Sequence, residues 1–155
     1  MCRMDKRLTK KVVAYITYQD SLLVFRHTQF PEAGIQVPAG TVEAGESVET
    51  AVLREAWEES GLEDLEICNY LGMDELDLSE FGMHGIDQRH FYHLARRKRP
   101  PKRWSHIEKH PSGGDQDTIE FELFWVKFPD EVPELSGRQD AMLARLVLPD
   151  RHEDS

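Results

Sequence analysis

Several features are scarce or missing in this sequence. It has only two cysteines, Cys2 and Cys68, and no CxxC pair. A disulfide framework or a cysteine-based zinc site is therefore not expected. No apolar run reaches the roughly 18 residues that a membrane helix requires. The basic N-terminus precedes only a short alternating segment instead of the apolar region of a secretory signal. We therefore expect no membrane association and a cytoplasmic location.

Basic residues are in the minority. The chain has 19 lysines and arginines against 29 aspartates and glutamates, which gives a formal net charge of −10. Because such a surface repels phosphate, general nucleic-acid binding is not expected. A phosphorylated small molecule remains compatible with this charge if a cation bridges the two, since Mg²⁺ binds carboxylate and phosphate oxygens.

The chain has the length and apolar content of one folded domain. It has 155 residues, of which 39% are apolar, and this is enough for a core. Neither a repeat nor a shift in composition divides it, so we expect residues 1–155 to form a single domain. Alternating apolar patterns predict strands. The predicted strands are residues 12–18, 22–27, 65–76, 88–96 and 118–128, with at most a short strand at 35–37.

Two helices are predicted among these strands. The first spans residues 48–60, with Ser47 as its N-cap and Gly61 as its end. The second spans residues 136–147, where Ser136 and Gln139 have the spacing of a capping box. A long loop rich in proline and glycine is expected at residues 97–117. These elements predict a mixed sheet with a few helices, of the α/β or α+β class.

The first helix has an acidic face. The segment "REAWEES" places Glu55, Glu58 and Glu59 within about one turn, while the apolar side chains lie on the opposite side. Like charges at this spacing repel by a few tenths of a kcal/mol per pair, and a divalent cation reverses the sign of that interaction. Arg54 can hold a carboxylate or a phosphate. Acidic helix faces are most often only solvated, so this face does not establish a site by itself. The apolar side is expected to contain Val52, Leu53, Ala56 and Trp57.

The spacing over residues 40–62 is much more specific. Gly40, Glu46, Arg54-Glu55, Glu58-Glu59 and Gly61-Leu62 match the pattern G-x5-E-x7-R-E-U-x-E-E-x-G-U, where U is a bulky apolar residue. This segment resembles the Nudix box. Every fixed position is matched, although Ala56 is smaller than the usual aliphatic residue at its position.

The resemblance implies a fold and a set of roles. The fold is a Nudix-type α/β/α sandwich around a mixed β-sheet. Glu55, Glu58 and Glu59 correspond to metal ligands, as does the carbonyl of Gly40. Glu46 and Arg54 correspond to the pair that orients the helix carboxylates. The implied metal is Mg²⁺ or Mn²⁺.

The resemblance also implies an activity. Nudix hydrolases cleave a nucleoside diphosphate linked to another group, by attack of water on phosphorus. The expected partner is therefore a small phosphoanhydride, and nucleoside triphosphates, nucleotide sugars and dinucleoside polyphosphates all remain open. The alternative is a nucleotide-binding or regulatory Nudix module without turnover. Assembly as a homodimer is also left open.

The general base has several candidates. Glu55 or Glu58 is the first choice, because a carboxylate beside the attacking water can accept its proton. Some Nudix enzymes use a glutamate from outside the box, and Glu120 and Glu122 are such candidates, for the base or for an additional metal ligand. The alternation "TIEFELF" also fits an ordinary solvated strand face for both.

Other features are open to two interpretations. The segment from Arg96 to Trp104 contains six basic residues in nine and is either a solvated loop or a steering patch for phosphates, with Trp104 available for base stacking. Phe91 and Phe121 are expected in the core, with a base-binding pocket as the alternative. Four histidines that could be considered as metal ligands are expected at the surface instead. They are His90, His93, His106 and His110.

Overall fold

The computed structural model describes residues 7–109 and 118–148. Within these ranges one α-helix, α1, spans Val48–Ser60, and short 3₁₀ helices cover Pro31–Ala33, Leu78–Phe81 and Ser136–Arg145. No helix in the described ranges is long and apolar enough to cross a membrane. The strands are β1 Leu8–Tyr18, β2 Ser21–His27, β3 Ala39–Thr41, β4 Leu65–Asp77, β5 Ile86–Arg96, β6 Arg103–Lys109 and β7 Thr118–Lys127.

The strands form one mixed sheet, in the order β4-β5-β1-β2-β7-β6. β1 and β5 are parallel, and the other pairs are antiparallel. β1 pairs with β2 through Thr17 and Tyr18, and β3 pairs with its earlier residues from Lys11 to Val13. Gln36 forms a bridge with Phe25 of β2. Residues 36–41 therefore enter the sheet between β1 and β2.

Both faces of the sheet are covered. Because strand side chains alternate, Val12 and Ala14 of β1 pack with α1, whereas Val13 and Tyr15 pack with the C-terminal segment around Met142. Apolar burial of this kind is the main stabilising contribution in a domain of this size. The predicted α/β class, with layers on both faces of a mixed sheet, is confirmed.

The local signals around α1 act as predicted. The Ser47 hydroxyl accepts a hydrogen bond from the Thr50 amide at 3.1 Å, and Gly61 ends the helix in a left-handed conformation with φ of 78°. The helix therefore has the predicted bounds. The prediction for Trp57 is wrong, since its side chain is 51% exposed. Ala51, Val52 and Ala56 are the fully buried residues of α1 that pack into the core.

Strand β6 corrects the predicted loop at residues 97–117. Arg103–Lys109 pairs antiparallel with β7, although the neighbouring prolines and charges favour a loop. Its Trp104 indole donates a hydrogen bond to the carbonyl of Ser60 at 2.8 Å, and the His106 Nε2 lies 2.8 Å from the carbonyl of Glu58. β6 therefore provides partners for carbonyls in the last turn of α1, which lack partners within the helix.

The C-terminal helix prediction is also corrected. Ser136–Arg145 is a 3₁₀ segment with a kink, where Gly137 and Arg138 have φ of 63° and 55°. No capping box forms, because both predicted capping side chains bond elsewhere. Ser136 donates to the carbonyl of Ala33, and the Gln139 side-chain oxygen accepts from the amide of Val37 at 2.8 Å.

Three smaller predictions have mixed outcomes. The segment 35–37 forms only isolated bridges, and the strand begins at Ala39. His93 is buried instead of exposed, and its ring lies 2.8 Å from the Thr17 hydroxyl. Phe91 and Phe121 are buried as expected. His110 lies outside the described residues.

Candidate active site

A cavity of about 490 Å³ lies between α1, β3 and the ends of β2, β6 and β7. Its lining combines an acidic wall from α1 and β6 with an apolar wall from β2 and β7. Such a mixture of clustered charge and apolar surface in one concave site is typical of a binding or catalytic cleft. The carboxylates that line it are Glu43, Glu55, Glu58, Glu59 and Glu108.

Arg54 is the centre of the hydrogen-bond network beside this cavity. Its guanidinium donates to both carboxylate oxygens of Glu46, at 2.7 and 2.9 Å. It also donates to Glu55 at 2.9 Å, to Glu58 at 3.2 Å and to the carbonyl of Thr41 at 2.9 Å. The Arg54 guanidinium therefore connects three carboxylates with the backbone of β3. The two-pronged contact with Glu46 is the geometry that a guanidinium favours with a carboxylate.

Glu46 is held in its ionised form. The hydrogen bonds from Arg54, with a further one from the amide of Glu43, lower the pKa of Glu46 to about 2. The same pairing raises the pKa of Arg54. Glu46 and Arg54 therefore form a permanent ion pair at neutral pH, and this pair is positioned to orient the neighbouring carboxylates.

Glu55 is placed against the backbone of β3. A Cβ atom added at Gly40 would lie 1.9 Å from the carboxylate carbon of Glu55, so only glycine leaves room for this contact. Burial raises the pKa of Glu55 to about 7, against the opposing effect of Arg54. This carboxyl group can therefore exchange a proton near neutral pH.

Glu59 is more deeply buried than Glu55. Its carboxylate accepts a hydrogen bond from the amide of Ala39 at 2.9 Å, which links the last turn of α1 to the strand that carries Gly40. Burial raises the pKa of Glu59 well above its usual range, and the charges of Glu108 and Glu55 act in the same direction. A cation at this position would favour the ionised form of both Glu55 and Glu59.

Glu108 joins the box carboxylates from outside the box. Oxygen atoms of Glu55, Glu58 and Glu108 all lie within 4.8 Å of one another. Three carboxylates at this spacing offer the hard oxygen donors that Mg²⁺ and Mn²⁺ prefer. The residues present therefore fit a divalent cation, with Glu59 and the Gly40 backbone in the same cavity.

Glu108 is not among the site residues predicted from the sequence, because residues 97–117 are predicted to form a loop. The alternation of Trp104, His106 and Glu108 along β6 was the available signal, since these three residues lie on one face of the strand. Trp104 and His106 contact α1, and Glu108 lies beside the carboxylates of Glu55 and Glu58.

Glu120 and Glu122 do not line the cavity. They alternate along β7 with Phe121, which lines the cavity, and therefore point to the other face. The Glu120 carboxylate accepts a hydrogen bond from Thr28, and Glu122 pairs with Arg26 and Arg103. These arginines lower the pKa of Glu122. The structure does not bring either carboxylate to the cavity.

The apolar wall contains one polar group. His27 lines the cavity, and its ring packs edge-on against Phe121 at 4.9 Å between centroids. Its Nδ1 atom is buried and has no hydrogen-bond partner among the described residues. Burial lowers the pKa of His27. Its neutral ring, with Phe25 and Phe121, provides an aromatic surface beside the carboxylates.

The basic segment from Arg96 to Arg103 does not line this cavity. Within the segment, Arg97 pairs with Glu66 and Lys98 with Asp64, both at 3.3 Å. Such exposed pairs contribute little to stability. The Trp104 indole donates to α1, and its ring lies 6.3 Å from the ring of Trp125 between centroids. Steering of phosphates by this segment stays a prediction.

Comparisons with known proteins bear on the family and the fold. A model of the NUDIX domain matches residues 7–146, whereas a search of curated proteins gives no significant match. The chain is similar to the crystal structure of the MutT NUDIX hydrolase from Burkholderia pseudomallei, with 22% sequence identity and a TM-score of 0.60 over 92% of this chain and 100% of that one. It is also similar to a UDP-X diphosphatase, with 16% identity and a TM-score of 0.60 over 88% of this chain and 60% of that one.

At these identities the solved structures establish the shared fold only, so the family assignment depends on the domain model and the box. The model covers nearly the whole chain. Five fixed positions of the box, Gly40, Arg54, Glu55, Glu58 and Glu59, line one cavity. The chain therefore belongs to the Nudix family of hydrolases.

Proposed function

We propose that this protein is a Mg²⁺- or Mn²⁺-dependent pyrophosphohydrolase that cleaves a nucleoside diphosphate linked to another group. One observation carries the proposal: oxygen atoms of Glu55, Glu58 and Glu108 lie within 4.8 Å of one another in a cavity that also contains Gly40 and Glu59. A pyrophosphate is densely anionic, so it can enter this acidic cavity only together with cations. When bound, a divalent cation neutralises phosphate oxygens and lowers the pKa of water.

The chain's own residues then have distinct tasks. Arg54 and Glu46 hold Glu55 and Glu58 in position, and Glu59 holds Ala39 and thereby Gly40. Positioning of this kind accounts for much of the catalysis of phosphoryl transfer. Water attacks phosphorus, the phosphoanhydride P–O bond breaks, and its electron pair leaves with the second phosphate.

The proton of the attacking water goes to a carboxylate. Glu55 is the first candidate, because its carboxylate lies beside Gly40 in the cavity where cation and substrate would bind, and a carboxylate near the attacking water can serve as general base. Glu58 and Glu108 are the alternatives, because both reach the same point in the cavity. Glu108 is therefore our candidate for the glutamate from outside the box, the role predicted from the sequence for Glu120 or Glu122.

The test is a substrate panel with the full chain. Nucleoside triphosphates, nucleotide sugars and dinucleoside polyphosphates are incubated with Mg²⁺ or Mn²⁺, and the products are separated by chromatography. We expect cleavage of a phosphoanhydride in at least one class, and none in the presence of EDTA. In ¹⁸O-labelled water, one phosphate product should carry the label, which shows attack on phosphorus.

The panel also distinguishes the alternative function. If calorimetry shows that a nucleotide binds while no product forms with either metal, the protein is a binding module and the proposal is wrong. Glu58→Gln serves as the variant that should abolish turnover. Glu120→Gln is its matched control, because Glu120 bonds to Thr28 outside the cavity.

A further inference from the structure

A second cavity adjoins the candidate active site. It has a volume of about 320 Å³ and shares Gln36, Ala39 and Gly40 with the cavity of the carboxylates. Its other walls come from β1, β5 and the C-terminal segment. A substrate whose phosphates lie beside Glu55 can therefore extend past Gly40 and place another group in this second cavity.

The polar groups of this cavity are only partly used by the protein. Arg89 is largely engaged, because it donates to both carboxylate oxygens of Asp74 and to the carbonyls of Gly137 and Arg138. Asp87 lines the same cavity, is half-buried, and has no side-chain partner among the described residues. Its carboxylate is therefore a free acceptor.

Gln139 provides a complementary donor. Its side-chain oxygen is committed, because it accepts the hydrogen bond from the Val37 amide. Its side-chain NH₂ group has no partner among the described residues, and the side chain lines the cavity. A carboxylate acceptor and an amide donor in one cavity together match a group that both donates and accepts hydrogen bonds.

The other side chains of this cavity limit the kind of group that can bind there. No aromatic side chain lines this cavity within the described part of the chain, whereas Phe25, His27 and Phe121 line the first cavity. Stacking of a planar base is therefore favoured in the first cavity and not in the second. A hydroxyl group can donate to a carboxylate and accept from an amide at once.

We propose that Asp87 and Gln139 bind neighbouring hydroxyl groups of a sugar ring in the phosphoanhydride substrate. This inference rests on the proposed function and names the part of the substrate that the second cavity recognises. Two sources supply the same chemistry, the ribose of the nucleoside and a sugar linked to its diphosphate. In both, Asp87 accepts hydrogen bonds from the hydroxyls and the Gln139 amide donates to one of them.

The experiment compares substrates with and without the hydroxyls on the intact protein. One arm pairs a ribonucleoside triphosphate with its 2′,3′-dideoxy counterpart. The other pairs a nucleoside diphosphate sugar with a nucleoside diphosphate alkyl ester. Because a hydrogen bond to a charged group is worth roughly ten-fold or more, Asp87→Ala should lower kcat/KM at least ten-fold for the hydroxylated member of one pair. It should change the value less than two-fold for the other member of that pair.

Two further variants keep the test independent of folding. Asp87→Asn preserves the shape of the side chain and decides the question if Asp87→Ala does not fold. Gln139→Glu retains an oxygen for the Val37 amide but removes the NH₂ donor, so it should also lower kcat/KM selectively for the hydroxylated substrate. Asp64→Asn is the control, since Asp64 pairs with Lys98 away from both cavities.

The outcomes separate this inference from the proposed function. The pair that responds to Asp87 identifies the source of the sugar. If wild-type protein hydrolyses the panel but the Asp87 variants affect both members of each pair equally, or neither, the sugar subsite is wrong and the proposed function stands. If nothing in the panel is hydrolysed with either metal, both are overturned.

Discussion

At the scale of single residues, the site depends on close approaches that only particular side chains allow. Gly40 is the clearest case, because any side chain there would occupy the space of the Glu55 carboxylate. Arg54 is the second, because its planar guanidinium reaches Glu46, Glu55 and Glu58 simultaneously. A lysine at position 54 would be a single point donor and could not reproduce this arrangement.

Gly40→Ala should displace Glu55 without unfolding the protein. The contact is with the end of a flexible side chain, so the fold can adjust while the carboxylate loses its position. A misplacement of about 1 Å can cost on the order of 100-fold in rate, and we expect kcat to fall by that order. Steady-state kinetics and thermal unfolding of the variant check this. A variant with wild-type kcat would show that the contact between Glu55 and Gly40 is not needed for turnover.

Removing the charge of one cavity carboxylate should reduce turnover much more than it reduces the stability of the fold. Glu58→Gln, Glu59→Gln and Glu108→Gln each keep the side-chain shape but remove a carboxylate from the cavity, and kcat should fall by several orders of magnitude. Circular dichroism should show an unchanged fold, and Glu120→Gln should retain activity. Near-wild-type kcat of any one variant at saturating Mg²⁺ would remove that residue from the proposed ligand set.

At the scale of secondary-structure elements, the last turn of α1 is held by contacts with two different strands. Glu59 connects it to β3 through the Ala39 amide, and β6 connects to it through Trp104 and His106. The helix therefore lies between two strands that are distant in sequence. This arrangement brings Glu108 beside Glu55 and Glu58.

The N-cap of α1 should contribute measurably to stability. Ser47→Ala removes the acceptor for the Thr50 amide, which should lower the free energy of unfolding by about 1 kcal/mol. Ser47→Asp is the matched control, because aspartate caps helices about as well as serine. Urea denaturation measures both. Equal loss in the two variants would mean that the hydroxyl acts through a contact other than the cap.

At the scale of the whole molecule, the C-terminal segment positions the strand that carries Gly40. Gln139 bonds to Val37 and Ser136 to Ala33, while the Tyr15 hydroxyl donates to the carbonyl of Gln139. Residues far apart in sequence therefore determine where residues 36–41 enter the sheet. Stability and site geometry are coupled through these contacts.

A divalent cation should stabilise the folded protein. Binding to the folded state alone raises stability by about 2.7 kcal/mol at a concentration of 100 times Kd, and roughly 2–4 °C per kcal/mol is expected for this size. Millimolar Mg²⁺ or Mn²⁺ should therefore raise Tm by several degrees. The rise should be smaller in Glu58→Gln and Glu59→Gln and unchanged in Glu120→Gln. A Tm that stays constant across a metal titration would contradict a preformed site.

Stability should also depend on pH through His93. Burial lowers the pKa of His93 below its usual value of 6.5, so the unfolded chain binds more protons than the folded one near and below that pH. The dependence on His93 therefore leaves the free energy of unfolding at its full value above pH 6.5. The free energy of unfolding decreases as pH falls below that value. Because the raised pKa values of Glu55 and Glu59 have the opposite effect in an overlapping range, the test must compare variants.

The measurement is the difference in free energy of unfolding between wild type and His93→Gln from pH 7.5 to pH 5. The advantage of the wild type should shrink as pH falls, since glutamine does not titrate. His84→Gln is the control for replacing a histidine by glutamine, because His84 is exposed. A constant difference for His93→Gln would show that His93 is not forced to remain neutral.

The sequence by itself determined the family, the helix and most of the chemistry. The box spacing predicted α1 with its cap and end, because Ser47 and Gly61 act through local backbone geometry. Helical spacing placed Arg54 near the carboxylates of Glu55, Glu58 and Glu59, and the resemblance to the Nudix box implied the roles of Gly40 and Glu46.

Only the tertiary structure decided the parts that depend on contacts between distant segments. Strand β6 exists because β7 pairs with it and α1 lies across it, and local composition had favoured a loop there. Glu108 enters the cavity for the same reason. The capping box at Ser136 does not form because Ala33 and Val37 compete for its side chains. Asp87 and Gln139 meet in one cavity only after the sheet has placed the C-terminal segment beside β5, which no spacing along the chain encodes.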